Sequence, residues 1–189
     1  MDIDFLVSDK KGFSNLRQLV RRNGFTSLVQ PNQQQIDAWT AFSQDQYAIR
    51  GRVEMANISI KFEIVFESRI DLSTPQPNSL LSGTPTLSRL DLAATKLLAN
   101  SDRWMDDATF GRDILDLAFL DLKAKEFDTA LETTSDAMGQ IVLDELTASL
   151  SDMLKRPGRL DRCIDALSFT PTKAVATQKL NHLRNLLNR

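Results

Sequence analysis

The sequence predicts an α+β fold: a small mixed β-sheet with flanking helices, followed by a helical bundle. Three observations predict it. The chain opens on "DIDFLVSD", where Asp2 and Asp4 alternate with Ile3, Phe5 and Val7, the period of a strand with one apolar face. Residues 47–70, "YAIRGRVEMANISIKFEIVFESRI", are rich in β-branched and aromatic side chains, as paired strands are. From residue 89 onward, apolar side chains recur every three or four positions among good helix formers, the spacing of amphipathic helices.

Taken in order, "KKGFSNLRQLVRRNGF" sets Phe13, Leu16, Leu19 and Val20 at helical spacing, and Asn23-Gly24 is a helix stop. "QPNQQQIDAWTAFSQDQ" is polar and has no clear period, so it reads as a loop anchored by Trp39 and Phe42. The β-rich stretch splits at the turn residues Ala56-Asn57. In its second run Ile58, Ile60, Phe62, Ile64 and Phe66 form a core face, alternating with Ser59, Lys61, Glu63, Val65 and Glu67.

"DLSTPQPNSLLSGTPTLS" holds Pro75, Pro77 and Pro85 and is the best internal boundary. It separates a sheet region, 1–80, from a helical region, 81–189. In the latter, "RLDLAATKLLAN", "ATFGRDILDLAFLDLKA", "DTALETTSDAM", "QIVLDELTASLSDMLK" and "PTKAVATQKLNHLRNLLNR" read as four or five helices. The last carries Val175, Leu180, Leu183, Leu186 and Leu187 as a stripe expected to face the core.

Composition narrows the classes of function. With 42% hydrophobic and 25% charged residues and no long apolar stretch, the chain reads as soluble and globular, with no call for a membrane. "MDIDF" has neither the basic region nor the apolar segment of an export signal. The single cysteine, Cys163, cannot form an internal disulfide, which fits a reducing cytoplasm. Lys+Arg against Asp+Glu run 11 to 10 over residues 1–99, 4 to 12 over 100–149 and 8 to 3 over 150–189. Solvated helix faces explain that asymmetry. A basic tail that binds nucleic acid is the other explanation, and it predicts affinity that falls with salt.

Asp2 and Asp4 share one face of their strand. They are either a solvent-facing strand start or half of a divalent-metal site. Hard divalent ions prefer oxygen ligands and assist in-line attack at a nucleotide phosphorus. Glu63 is the candidate third carboxylate and Glu67 its rival. In the helical region, Lys96 sits on an otherwise apolar helix with Arg103 at its end, and Arg112, Asp113 and Asp116 occupy the next helix. A lysine among Ala and Leu needs an anion. A triphosphate is one such anion; Asp113 and Asp116, in an ion-pair network between helices, are another, with Arg112 in reach of Asp116 at i, i+4. His182, the only histidine, has no second ligand at zinc spacing and reads as a surface or helix-end residue.

"DIDFLVSD", "IKFEIV" and "DLAATKLLANSDRW…FGRDILDLAFL" together resemble the AbiEii/AbiGii toxin family of nucleotidyltransferase-like proteins, within the polymerase-β-like superfamily. The resemblance spans about residues 2 to 120. It implies metal ligation (Mg²⁺ or Mn²⁺) by Asp2, Asp4 and Glu63 and phosphate contact by Lys96. Asp113 and its neighbours Arg112 and Asp116 complete the nucleotide pocket, Arg103 is a further nucleotide-binding candidate, and Asp113 is expected to orient or deprotonate an acceptor hydroxyl or to serve only as an ion-pair partner. It implies a nucleoside triphosphate substrate, transfer to the acceptor end of tRNA in some members, and a cognate antitoxin as partner. The family also carries a small-residue turn of Gly-Gly-Thr or Gly-Ser type upstream of Asp-x-Asp. Met1 immediately precedes Asp2 here. Either the natural chain starts earlier, which makes this chain an inactive fragment of an active enzyme, or it is a degenerate member that acts by protein–protein interaction; coding sequence for such a turn just upstream would favour the enzyme.

Overall fold

The computed structural model describes residues 2–28, 38–55, 57–76, 80–81 and 83–189, and the chain divides into two compact units, Met1–Leu72 and Ser73–Arg189. The first contains β1 (Asp2–Val7), α1 (Lys10–Asn23), a 3-10 turn (Phe25–Leu28), β2 (Ala38–Gln44), β3 (Ala48–Met55) and β4 (Ile58–Phe66). Its sheet runs β1-β4-β3-β2, with β1 parallel to β4 and the other pairs antiparallel. This is the mixed sheet the patterning predicts.

Register sorts the two faces. Asp2, Lys61, Arg52 and Thr40 form one cross-strand row, and Asp4, Glu63, Arg50 and Ser43 form another on the same face. The rows between them carry Ile3, Phe62 and Gly51, then Phe5, Ile64 and Ile49, on the opposite face. There Phe13 and Val20 of α1 pack with Phe25, Ile49 and Ile64, and Phe13 stacks on Phe66 at 5.3 Å between ring centroids. Asp9 caps α1 by accepting from the amides of Lys11 and Gly12. Gly24, at φ 72°, ends it.

Several expectations need correction. The segment read as a loop contains β2, whose alternation is broken by a bulge between Thr40 and Ser43, with Ala41 at φ 52°. Two residues there oppose one, so the period-two signal disappears. Phe42 does act as an anchor, meeting Phe25 edge to face at 4.7 Å; residues 29–37 and the Trp39 side chain lie outside the described residues. Asn57 turns at φ 64°, and Ala56 is likewise outside. Ile58 is 50% exposed at the strand's open end and Leu19 is 41% exposed on α1, so neither joins the core.

The second unit begins with a short hairpin, β5 (Leu80–Leu81) and β6 (Thr84–Pro85), inside the proline-rich boundary. Six helices follow among the described residues: α2 (Arg89–Arg103), α3 (Arg112–Phe119), α4 (Ala124–Met138), α5 (Ile141–Lys155), α6 (Arg159–Ala166) and α7 (Lys173–Leu187). A 3-10 turn, Asp107–Thr109, precedes α3. "ATFGRDILDLAFLDLKA" is therefore no single helix. Phe110 and Gly111 break it at φ 51° and 62°, and Asp121 breaks it again at φ 51°. At Gly111 the left-handed conformation, φ 62°, calls for glycine.

The number of helices exceeds the four or five expected because α6 is short and charged, with Arg159 and Cys163 as buried members. The Arg159 side chain is 2% exposed and lies between Asp107 at 2.7 Å and Asp152 at 3.0 Å. The corner between α3 and α4 is held from two sides. Arg89 donates to the carbonyls of Leu120 and Asp121, and His182 Nε2 lies 3.0 Å from the Leu122 carbonyl. A carbonyl only accepts, so His182 donates from Nε2. It is a half-buried brace rather than a surface histidine. On α7, Leu180, Leu183 and Leu186 are buried and Leu187 packs against them, whereas Val175 is exposed.

The bulge and Gly51 act together, because Phe25 lies over the bare Gly51 backbone. A Cβ at Gly51 would meet Phe25 Cε2 and Cζ at 2.8 Å. Gly51→Val is predicted to destabilise the first unit by about 1–3 kcal/mol through overpacking, read as an earlier urea midpoint in near-ultraviolet circular dichroism. An unchanged midpoint contradicts this packing.

Candidate functional site

Each unit holds a cluster of the residues picked out in the sequence. On the polar face of the first unit's sheet, Asp2 and Asp4 are exposed on β1, and β1 is an edge strand. The parallel register sets Glu63 beside Asp4. Glu63 is not a free ligand in this arrangement. Its Oε1 accepts from Arg50 Nε at 3.1 Å and its Oε2 from Lys61 Nζ at 3.0 Å, while Arg50 also reaches Asp45 at 2.8 Å. Glu67 lies beyond β4, is buried, and is chelated by its own neighbour Arg69 at 2.9 Å. Burial raises the Glu67 pKa, but the Arg69 guanidinium and backbone amide outweigh it and hold the carboxyl below the usual range.

The oxygen chemistry of Asp2 and Asp4 suits a hard divalent cation. The third carboxylate is committed to two cations. Among the described residues, no group of three or more His, Cys, Asp or Glu side chains is placed to hold a metal ion.

In the second unit, Asp113 is the centre. Its side chain is 4% exposed. Arg103 Nε and Nη2 reach its two oxygens at 2.7 and 2.9 Å, and Lys96 Nζ lies 3.3 Å from Oδ1. Lys96 also binds Asp116 at 2.5 Å. Helical spacing explains the convergence, since Lys96 and Arg103, two turns apart, lie on one side of α2, and Asp113 and Asp116 at i, i+3 share a side of α3. The network expected between helices is therefore present, but Asp116 answers Lys96 rather than Arg112, which is exposed. Burial raises the Asp113 pKa, but Arg103 and then Lys96 outweigh it, so the carboxyl stays ionised well below its ordinary range. The same contact raises the Arg103 pKa.

Asn100 belongs to this side of α2 and was not singled out in the sequence. It is buried, and its Nδ2 has no hydrogen-bond partner among the described residues. The signal was there: Asn100 lies four residues after Lys96 and three before Arg103, on the same side of α2.

Asp113→Asn is predicted to destabilise the second unit by about 2–3 kcal/mol, because it leaves Arg103 and Lys96 without their shared counter-charge. The sign of the pH dependence follows from the depressed folded-state pKa. The carboxylate's contribution is complete above the unfolded pKa of about 4 and is lost as pH falls through the lower folded value. Thermal melts from pH 7 to pH 3 check this: the wild type should lose stability below about pH 4 more steeply than Asp113→Asn. Equal slopes contradict the assignment.

The chain matches the family model described as "Nucleotidyl transferase AbiEii toxin, Type IV TA system" over residues 1–180 of its 189. Among curated proteins and solved structures, no match to the chain is found.

Proposed function

The chain belongs to the AbiEii family of nucleotidyl transferase toxins of type IV toxin–antitoxin systems, and from that premise we propose that it binds a nucleoside triphosphate with Mg²⁺ or Mn²⁺ and transfers the nucleotide to an RNA acceptor such as tRNA. In this reading a cognate antitoxin counters it. The observation that carries the reading is the pair of exposed carboxylates, Asp2 and Asp4, on one face of an edge strand in a chain of this family.

In the reaction, an acceptor hydroxyl oxygen bonds to the α-phosphorus, the bond to the β-phosphate oxygen breaks, pyrophosphate leaves and the hydroxyl proton passes to a base. Asp2 and Asp4 would hold the divalent ion, whose chemistry is neutralisation of charge on the phosphate oxygens. Lys96, in contact with the exposed Asp116 as well as with Asp113, can exchange Asp116 for a phosphate and keep its buried partner. Arg103 and Arg112 add positive charge on the same two helices. Asp113, whose oxygens are engaged by cations and whose pKa is depressed, is a weak base, and its role is to position Lys96 and Arg103.

One observation favours a second reading. Because both oxygens of Glu63 are taken by Arg50 and Lys61, a non-catalytic module that acts by protein–protein interaction is consistent with the same fold. Calorimetric titration with each nucleoside triphosphate, with and without Mg²⁺, separates the two. The first reading predicts metal-dependent binding, weakened at least 10-fold by Asp4→Ala and by Lys96→Gln, with thermal melts confirming that both variants are folded. Absence of binding by the wild-type chain overturns it and leaves the module.

A further inference from the structure

The most one-sided charge in the first unit lies away from the acidic pair, on α1. That helix carries Lys10, Lys11, Arg17, Arg21 and Arg22 and no acidic residue. The unit as a whole has nine Lys or Arg and nine Asp or Glu, so the imbalance is local. Among the described residues, none of the five takes part in an ion pair. Arg50, Lys61 and Arg69 of the same unit are all paired. The helix is capped by Asp9, whose oxygens accept from the amides of Lys11 and Gly12.

Helical geometry gathers these cations. At 100° per residue, Lys10, Arg17 and Arg21 fall within about 20° of one line along the helix, and Lys11 and Arg22 lie about 100–120° further round, on the side facing away from Phe13 and Val20. Phe13 and Val20, buried in the sheet core, lie about 60–80° from the first line on its other flank, which is why Arg17 is partly covered. Lys10, Lys11, Arg21 and Arg22 are exposed. Arg17 is half-buried, with its guanidinium 5.9 Å from the Phe13 ring centroid and a buried Nε that has no partner. Lys10 and Arg22 lie twelve residues apart, about 18 Å at 1.5 Å per residue, a span of several backbone phosphates.

We propose that the exposed side of α1 is a grip for the phosphate backbone of a nucleic acid. The inference deepens the nucleotidyl-transfer reading and rests on it for the acceptor's class. Charge complementarity selects the occupant: five cations with no ion pair among the described residues, spread along one helix with no acid in it, match a regularly charged polyanion. An anionic membrane is the weaker fit, because the apolar side an interfacial helix would insert is spent on the sheet.

Placement adds a constraint on substrate size. α1 packs on the sheet face that carries Phe5, Phe62 and Phe66, whereas Asp2 and Asp4 project from the other face. A chain gripped by α1 must pass round the sheet to reach Asp4, which lies on the edge strand β1. The grip therefore serves a long or folded acceptor and not a short oligonucleotide.

The test is fluorescence anisotropy of the full chain with a labelled, folded RNA of about 70 nucleotides, from 50 to 200 mM salt. The variant Arg17→Gln/Arg21→Gln/Arg22→Gln is compared with a charge-matched control, Lys125→Gln/Lys155→Gln/Arg184→Gln, drawn from exposed cations of the helical unit. Five phosphate contacts predict that wild-type affinity falls about 100-fold over this salt range. The α1 variant should bind at least 10-fold more weakly at low salt, with a salt slope shallower by about 2, and the control should bind as wild type does. A trinucleotide should bind both variants alike.

Unchanged RNA binding by the α1 variant, loss confined to the control, or capture by phosphatidylserine vesicles without RNA binding overturns the proposal. Calorimetry with triphosphate on the same samples separates the two inferences. Triphosphate binding that persists while α1 proves dispensable for RNA sinks the grip alone. Loss of triphosphate binding in the wild type sinks the transferase reading.

Discussion

The helical unit depends on one buried carboxylate. Asp113 lies at the start of α3 and accepts from Arg103 and Lys96, both on α2. A charge in that position is tolerated only because two opposite charges meet it with hydrogen-bonding geometry. Removing it would leave two cations with no common partner, so the pairing of α2 with α3 and the placement of Lys96 are one constraint. The left-handed backbone at Phe110 and Gly111 serves the same end, since it redirects the chain so that α3 starts where Asp113 meets α2.

The sheet unit is organised by alternation instead. Successive residues of β1 and β4 point to opposite faces, so one face carries the aromatic core and the other carries Asp2, Asp4, Lys61, Glu63 and Arg50. The polar face is thus a lattice of compensated charges at Glu63 and of uncompensated ones at the β1 edge. That contrast within a single cross-strand row is why Asp2 and Asp4 are better candidates for a cation than Glu63. Five cations of unit one with no ion pair among the described residues lie on α1, which packs on the face opposite Asp2 and Asp4. The two polarities suit two different parts of one polyanionic substrate.

Much of this was legible in the sequence because it follows from period. The alternation at residues 2–7 and 58–66 gave the strands, and Lys96 among apolar neighbours announced a buried charge network. What the sequence concealed was aperiodic. The bulge at Ala41 removes the alternation of β2. Positive φ at Phe110, where glycine is not required, divides an apparently continuous helix. The partner choices were also hidden: spacing places Arg112 within reach of Asp116, but only the packing of α2 on α3 shows that Lys96 takes it. Glu63 was legible as a carboxylate on the correct face, and its capture by Arg50 required knowledge of the β3–β4 register.

The most direct test of the account is transfer itself. Full chain would be incubated with α-labelled nucleoside triphosphates, Mg²⁺ and a tRNA pool, and label followed into RNA. The account predicts incorporation that requires the divalent cation, is abolished by Asp2→Ala or Asp4→Ala, and falls in Lys96→Gln. Label that stays in the triphosphate under conditions where calorimetry shows the nucleotide bound would contradict it.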